Sequence, residues 1–130
     1  MQRSKPLSPH LQVYRWQISM ALSIVHRLSG VGLAFGTLLM AYWFISVAAG
    51  PAWFADAQWF LGTIVGRIIL LGFTAALVFH FLNGVRHLFW DAGLGFELRA
   101  SRISGWAVVS GSIFITAIIW VCAYIVKASL

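Results

Sequence analysis

Three long apolar runs, at about residues 24–49, 62–87 and 103–126, constrain this chain more than any other feature. Each has the roughly 20 residues that an α-helix needs to cross a hydrocarbon core of about 30 Å. Inside lipid the backbone finds polar partners only in itself, so each run is expected to be helical. Only 9% of the 130 residues are charged and 61% are hydrophobic, a balance outside the range of soluble domains. The expected fold is therefore that of an all-α membrane protein with three transmembrane helices. Residues 1–22 precede them as a short cytoplasmic or interfacial segment, residues 23–130 form the membrane domain, and no room is left for a soluble module.

The formal net charge is +6, but the cations do not form the patch that nucleic acid would require. They sort by loop instead. Arg3, Lys5, Arg15 and Arg27 precede or open the first run, and Arg99 and Arg102 follow the second, with Arg86 just inside it. Residues 50–58 carry Asp56 and neither Lys nor Arg. The positive-inside rule then places the N-terminus and second loop in the cytoplasm, or in the matrix of a mitochondrion. Lys127, on the far side, dissents. Residues 1–18 have no apolar core of a signal peptide, and the segment is too short and proline-rich for a transit peptide, so a bacterial inner membrane is expected before a mitochondrial one. Residues 9–19 mix Leu11, Val13, Tyr14, Trp16 and Ile18 with polar residues, as a stretch at the lipid interface or docked on a partner protein does. Trp43 and Trp53 read as the opposite aromatic belt. The single cysteine, Cys122, excludes an intrachain disulfide and reads as a small packing residue.

Some features have plain structural readings. Gly32 and Gly36, and Gly62 and Gly66, are small-xxx-small pairs that suit close helix packing. Arg67 suits a cation snorkelling to the outer interface. Ser104 is placed to cap the third helix, with Ser110, Ser112 and Thr116 available for hydrogen bonds within or between helices.

The ionisable residues near the cytoplasmic end are harder to explain as structure. On a helix, His80, Gly84, His87 and Asp91 share one face, with the two histidines about 10 Å apart along the axis. In the first helix Ser23, His26, Arg27 and Gly30 also share a face. The first helix starts where the second ends, so Ser23, His26, Arg27, His87 and Asp91 fall at similar depth, with His80 deeper. Ionisable side chains inside a membrane point to function. A deep imidazole below a ring of cations suits haem, with a neutral imidazole on iron and Arg27, His26 or His87 on the propionates. The alternative, a histidine bonded across helices to a serine or carbonyl, is equally compatible with the spacing. Without a second deep histidine, a second axial ligand would come from another subunit. Ser23 and Arg27, one turn apart, present a hydroxyl and a guanidinium suited to quinone carbonyls, and Asp91 could supply protons. Taken alone, a serine such as Ser23 at a helix start is usually a cap, and an arginine such as Arg27 is more often a lipid-phosphate anchor.

Lys5-Pro6-Leu7-Ser8-Pro9-His10-Leu11 followed by Ser23-Ile24-Val25-His26-Arg27-Leu28-Ser29-Gly30 resembles the paired signature of the large membrane-anchor subunits of succinate dehydrogenase, the cytochrome b subunits of respiratory complex II. His80-Phe81-Leu82-Asn83-Gly84-Val85-Arg86-His87-Leu88-Phe89-Trp90-Asp91 resembles the second signature of that family. The likeness covers nearly the whole chain and implies the same three-helix plan. It implies that His80 is the axial ligand of haem b, opposite a histidine of the other small anchor subunit. By the same resemblance His26, Arg27 and His87 lie near the haem propionates, and Ser23 and Arg27 line the ubiquinone site shared with the iron–sulfur subunit and the other anchor. Succinate is then oxidised in a flavoprotein subunit, not here, and no catalytic residue is expected in this chain. Lys5 stands where arginine is common. Leu94 stands where mitochondrial members often carry lysine, which again favours a bacterium. Two rival functions remain at this stage, a haem-free membrane scaffold and a proton-conducting subunit using Arg27, His87 and Asp91.

Overall fold

The computed structural model describes residues 16–129, and the charged and aromatic residues assigned above to positions 1–15 lie outside it. Four helices follow in order: α1 (Ile18–Ala49), α2 (Pro51–Gly62), α3 (Ile64–Asp91) and α4 (Leu98–Ser129). The helices α1, α3 and α4 are each long and apolar enough to cross a membrane, and they contain the three runs of the sequence. At 32, 28 and 32 residues they reach about 42–48 Å, longer than a hydrocarbon core. They therefore project beyond it or tilt within it.

Local chemistry sets the breaks. Gly50 has φ 113°, a conformation open to glycine, and Pro51 starts α2 where a missing N–H is harmless. Thr63 caps α3 by accepting from Gly66 N at 3.1 Å, while its hydroxyl donates to Phe60 O at 2.6 Å. After Asp91 the chain turns through Gly93 (φ 80°) and Gly95 (φ 78°). Trp90 Nε1 closes that turn by donating to Gly95 O at 3.1 Å.

Several elements differ from expectation. The first loop is itself mostly helix, the short α2, which carries exposed Trp53 and Trp59. The helix α1 starts at Ile18, within the stretch expected to be interfacial. The helix α4 starts at Leu98, so Ser104 is no cap: it lies two turns inside and bonds back to Ser101 O at 3.2 Å. Cys122 is exposed and so lies outside the buried core of the described residues. Trp43 is half-buried and sits edge-on to Phe54 of α2.

The packing core runs along α3, which contacts α1, α2 and α4. It is small and polar. Leu22, Ala57, Leu61 and Val108 are the buried apolar residues, against buried Ser29, Ser46, Asn83, Arg86, Ser112 and Thr116, all among the described residues. The large apolar side chains point outward, which follows because lipid is as apolar as a leucine and gains nothing by its burial. Helices approach closely where a side chain is missing. Gly36 receives the Phe73 ring, Gly66 lies on the backbone of Phe60 and Leu61, and Gly105 receives Leu22.

Candidate functional site

The close approach of α1 and α3 brings three histidines together. His26 and His80 are stacked, with ring centroids 3.9 Å apart and planes 14° from parallel. His87 lies 5.4 Å from His26, and Trp90 stands edge-on to His87 at 5.1 Å. His80 was expected to lie below the other polar residues, but its ring meets that of His26. Gly30 makes this possible: a Cβ there would stand 3.2 Å from His80 Cε1, so the imidazole edge rests on the α1 backbone. Ser29 joins the two helices, donating to His26 O at 2.8 Å and lying 3.1 Å from His80 Nδ1.

Two features of the cluster invite a ligand. His26 Nδ1 is buried without a hydrogen-bond partner, which is costly by about 1–3 kcal/mol unless something satisfies it. Gly84, one turn beyond His80, would carry a Cβ that meets nothing within 4 Å, so bare backbone faces open space there. Among the described residues no group of three or more His, Cys, Asp or Glu is arranged to hold a metal ion. The imidazoles of His26 and His80 are stacked, not convergent.

A cavity of about 380 Å³ adjoins the cluster, lined by Ser23, Ile24, Arg86, His87 and Trp90 together with the start of α1. Ser23 is half-buried in it, whereas Arg27 and Asp91 are exposed and do not line it. The structure thus gathers His26, His80 and His87, keeps Ser23 beside them, and leaves Arg27 and Asp91 on the outer surface.

Arg86 is the residue that sequence reasoning passed over. It is buried, at 5% exposure, and its Nε donates to Ser104 Oγ at 3.0 Å. Its Nη2 donates to Ser101 O and Ser101 Oγ at 3.0 and 3.1 Å. Its guanidinium also lies 4.0 Å over the Trp90 ring, within the range of a cation–π contact. The available signal was a cation inside an apolar helix followed, across a glycine turn, by two serines three residues apart. Arg86 pins α3 to α4 and so fixes how His87 and Trp90 are presented to α1.

Comparison with known proteins gives a consistent result. Residues 1–119 match the family described as succinate dehydrogenase/fumarate reductase transmembrane subunit. The chain is 41% identical over 117 residues to a succinate dehydrogenase cytochrome b556 subunit of Rickettsia felis, spanning 90% of this chain and 91% of that one. It is 40% identical over 115 residues to the b556 subunit of Paracoccus denitrificans, spanning 88% of each. It is 39% identical over 111 residues to a mitochondrial cytochrome b560 subunit of Mus musculus, spanning 82% of this chain and 64% of that one. With three helices fit to span a membrane and a likeness that runs through all of them, the chain belongs to the family of succinate dehydrogenase/fumarate reductase transmembrane subunits.

Proposed function

We propose that this chain is the membrane-anchor cytochrome b subunit of succinate:ubiquinone oxidoreductase, in a bacterial inner membrane with its N-terminus in the cytoplasm. It docks the flavoprotein and iron–sulfur subunits and pairs with the second small anchor subunit. Its own residues oxidise no succinate. The observation that carries this reading is the stacked histidine pair between α1 and α3, with an unsatisfied nitrogen and open backbone beside it. Relatives named as cytochromes b agree with it.

In this reading His80 would hold haem b iron, together with a histidine of the other anchor subunit. Bound haem b supplies a one-electron store within the membrane. His26 is suited to a propionate through its unpartnered Nδ1, with Arg27 and His87 as the further groups beside the propionates. Arg27 is exposed in this chain, which leaves its guanidinium free to reach a ligand at the surface. Ser23 and Arg27 donate to the ubiquinone carbonyl oxygens, orienting the head, and Asp91 at the exposed end of α3 passes protons inward.

The test is an optical spectrum of the affinity-purified, dithionite-reduced complex. Reduced haem b bands are expected in the wild type and absent in His80→Ala. A wild-type complex without them, or a His80→Ala complex that keeps them, overturns the assignment. One observation favours the rival scaffold reading, the Ser29–His80 contact across helices, and the same spectrum decides between the two. Nothing comparable among the described residues favours a proton conductor.

A further inference from the structure

Ser29 is 9% exposed and sits where α1 closes on His80. Its hydroxyl carries one proton. A backbone carbonyl can only accept, so that proton is directed to His26 O at 2.8 Å. The same oxygen lies 3.1 Å from His80 Nδ1 and, with its proton committed, is left to accept. With the hydroxyl proton on that carbonyl, the arrangement suits the tautomer in which Nδ1 of His80 is protonated and Nε2 carries the lone pair. Among the described residues nothing hydrogen-bonds Nε2. The ring is also held in place: Gly30 lets its edge reach the α1 backbone, and His26 covers one face.

We infer that Ser29 is a positioning residue for haem ligation, fixing His80 as the Nδ1–H tautomer so that Nε2 is presented to iron. This inference rests on the haem reading above and deepens it. The physical basis is general. An imidazole has one donor and one acceptor nitrogen when neutral, and which one meets the metal is set by the bond the other makes. A bond accepted from the far N–H also makes the ligating nitrogen more basic. A more basic ligand favours ferric over ferrous iron, so loss of the bond moves the haem potential upward. Ser29 itself touches no iron and no substrate. It acts through His80 alone, because its other contact is to a backbone carbonyl that the helix already satisfies.

The experiment uses the whole complex carrying Ser29→Ala, a change that keeps the helix and nearly the volume. Haem b is titrated potentiometrically, and the ferric haem is examined by electron paramagnetic resonance. At an ambient potential set to the wild-type midpoint, Ser29→Ala is expected to hold severalfold more reduced than oxidised haem, with shifted ferric g values. Ser29→Thr, which restores a hydroxyl, is expected to return both to wild-type values. A Ser29→Ala complex with the wild-type midpoint and g values overturns the proposal, even if its haem content falls, because that pattern marks packing alone. Should Ser29→Ala fail to assemble, Ser29→Thr and Ser29→Val, nearly equal in size, give the same comparison. Thr is expected to keep the midpoint and Val to raise it, and equal behaviour of the two overturns the proposal. Bands lost in His80→Ala beside an unmoved midpoint in Ser29→Ala would leave the haem reading standing and remove only the role of Ser29. A wild-type complex without haem b bands would remove both.

Discussion

At the scale of single residues, Arg86 shows how a cation is kept inside an apolar bundle without a carboxylate. Its partners are neutral: a carbonyl, two hydroxyls and an indole face. Replacing it by alanine removes all of these and leaves Ser101 and Ser104 facing a void. Arg86→Ala is expected to destabilise the complex by about 2–3 kcal/mol, seen as a lower thermal unfolding midpoint. Arg86→Lys should recover only part of this, since an ammonium cannot reproduce the forked geometry; an unchanged midpoint in Arg86→Ala would refute the role. Arg27 has the opposite character, exposed and without a packing task. Arg27→Ala is expected to lower quinone reductase activity by about tenfold or more, while succinate oxidation by an artificial dye continues. Equal loss of both activities would remove Arg27 from the quinone site. The histidines could be singled out in the sequence because an imidazole in an apolar helix needs a reason. Arg86 could not be distinguished from the loop cations, because its partners come within reach only once the chain turns at Gly93 and Gly95.

At the scale of helices, the glycine pairs separate pattern from use. Both small-xxx-small pairs stand out in the sequence, yet in each pair only the second glycine is in contact. A Cβ at Gly32 or Gly62 would meet nothing within 4 Å, whereas Gly36 holds Phe73 and Gly66 lies on the α2 backbone. Which glycine is used depends on helix rotation, and a pattern of spacing does not contain rotation. Gly66→Ala is expected to destabilise by roughly 1–3 kcal/mol, as overpacking does, because the Phe60 carbonyl and Leu61 backbone it meets cannot swing aside. Gly32→Ala should be neutral or slightly stabilising, since alanine favours helix by about 1 kcal/mol. Thermal unfolding of the two variants side by side checks this, and equal effects would contradict the packing described. The spans were readable from composition. The short α2 was not, because its 12 residues are too few for a span and carry a proline where a loop is the ordinary reading.

At the scale of the whole molecule, the loops assign the sides. In the topology proposed above, with the N-terminus inside, the turn after α3 is cytoplasmic and α2 faces out. In a Cys122→Ser background, Asp56→Cys is expected to react with a membrane-impermeant maleimide in intact cells, and Glu97→Cys only after permeabilisation. The reverse pattern would invert the topology. Arg67 and Lys127, at the end of the bundle away from the histidine cluster, line one cavity of about 760 Å³ with Trp43, Trp120 and Tyr124. Lys127 is thus joined by Arg67 as a second cation at the end that the charge rule expects to be poor in them. That shared location could not be anticipated from positions sixty residues apart.

The distribution of side chains, serines and glycines within and bulky hydrocarbon without, also determines which reagents can loosen the bundle. Urea and guanidinium act in proportion to the surface that unfolding newly exposes to water. Helices that separate inside a micelle expose little of it, so chaotropes have weak leverage here. Amphiphiles that compete for the outer flank have strong leverage, and chain length and headgroup of the solubilising detergent will govern the lifetime of the fold more than any denaturant concentration.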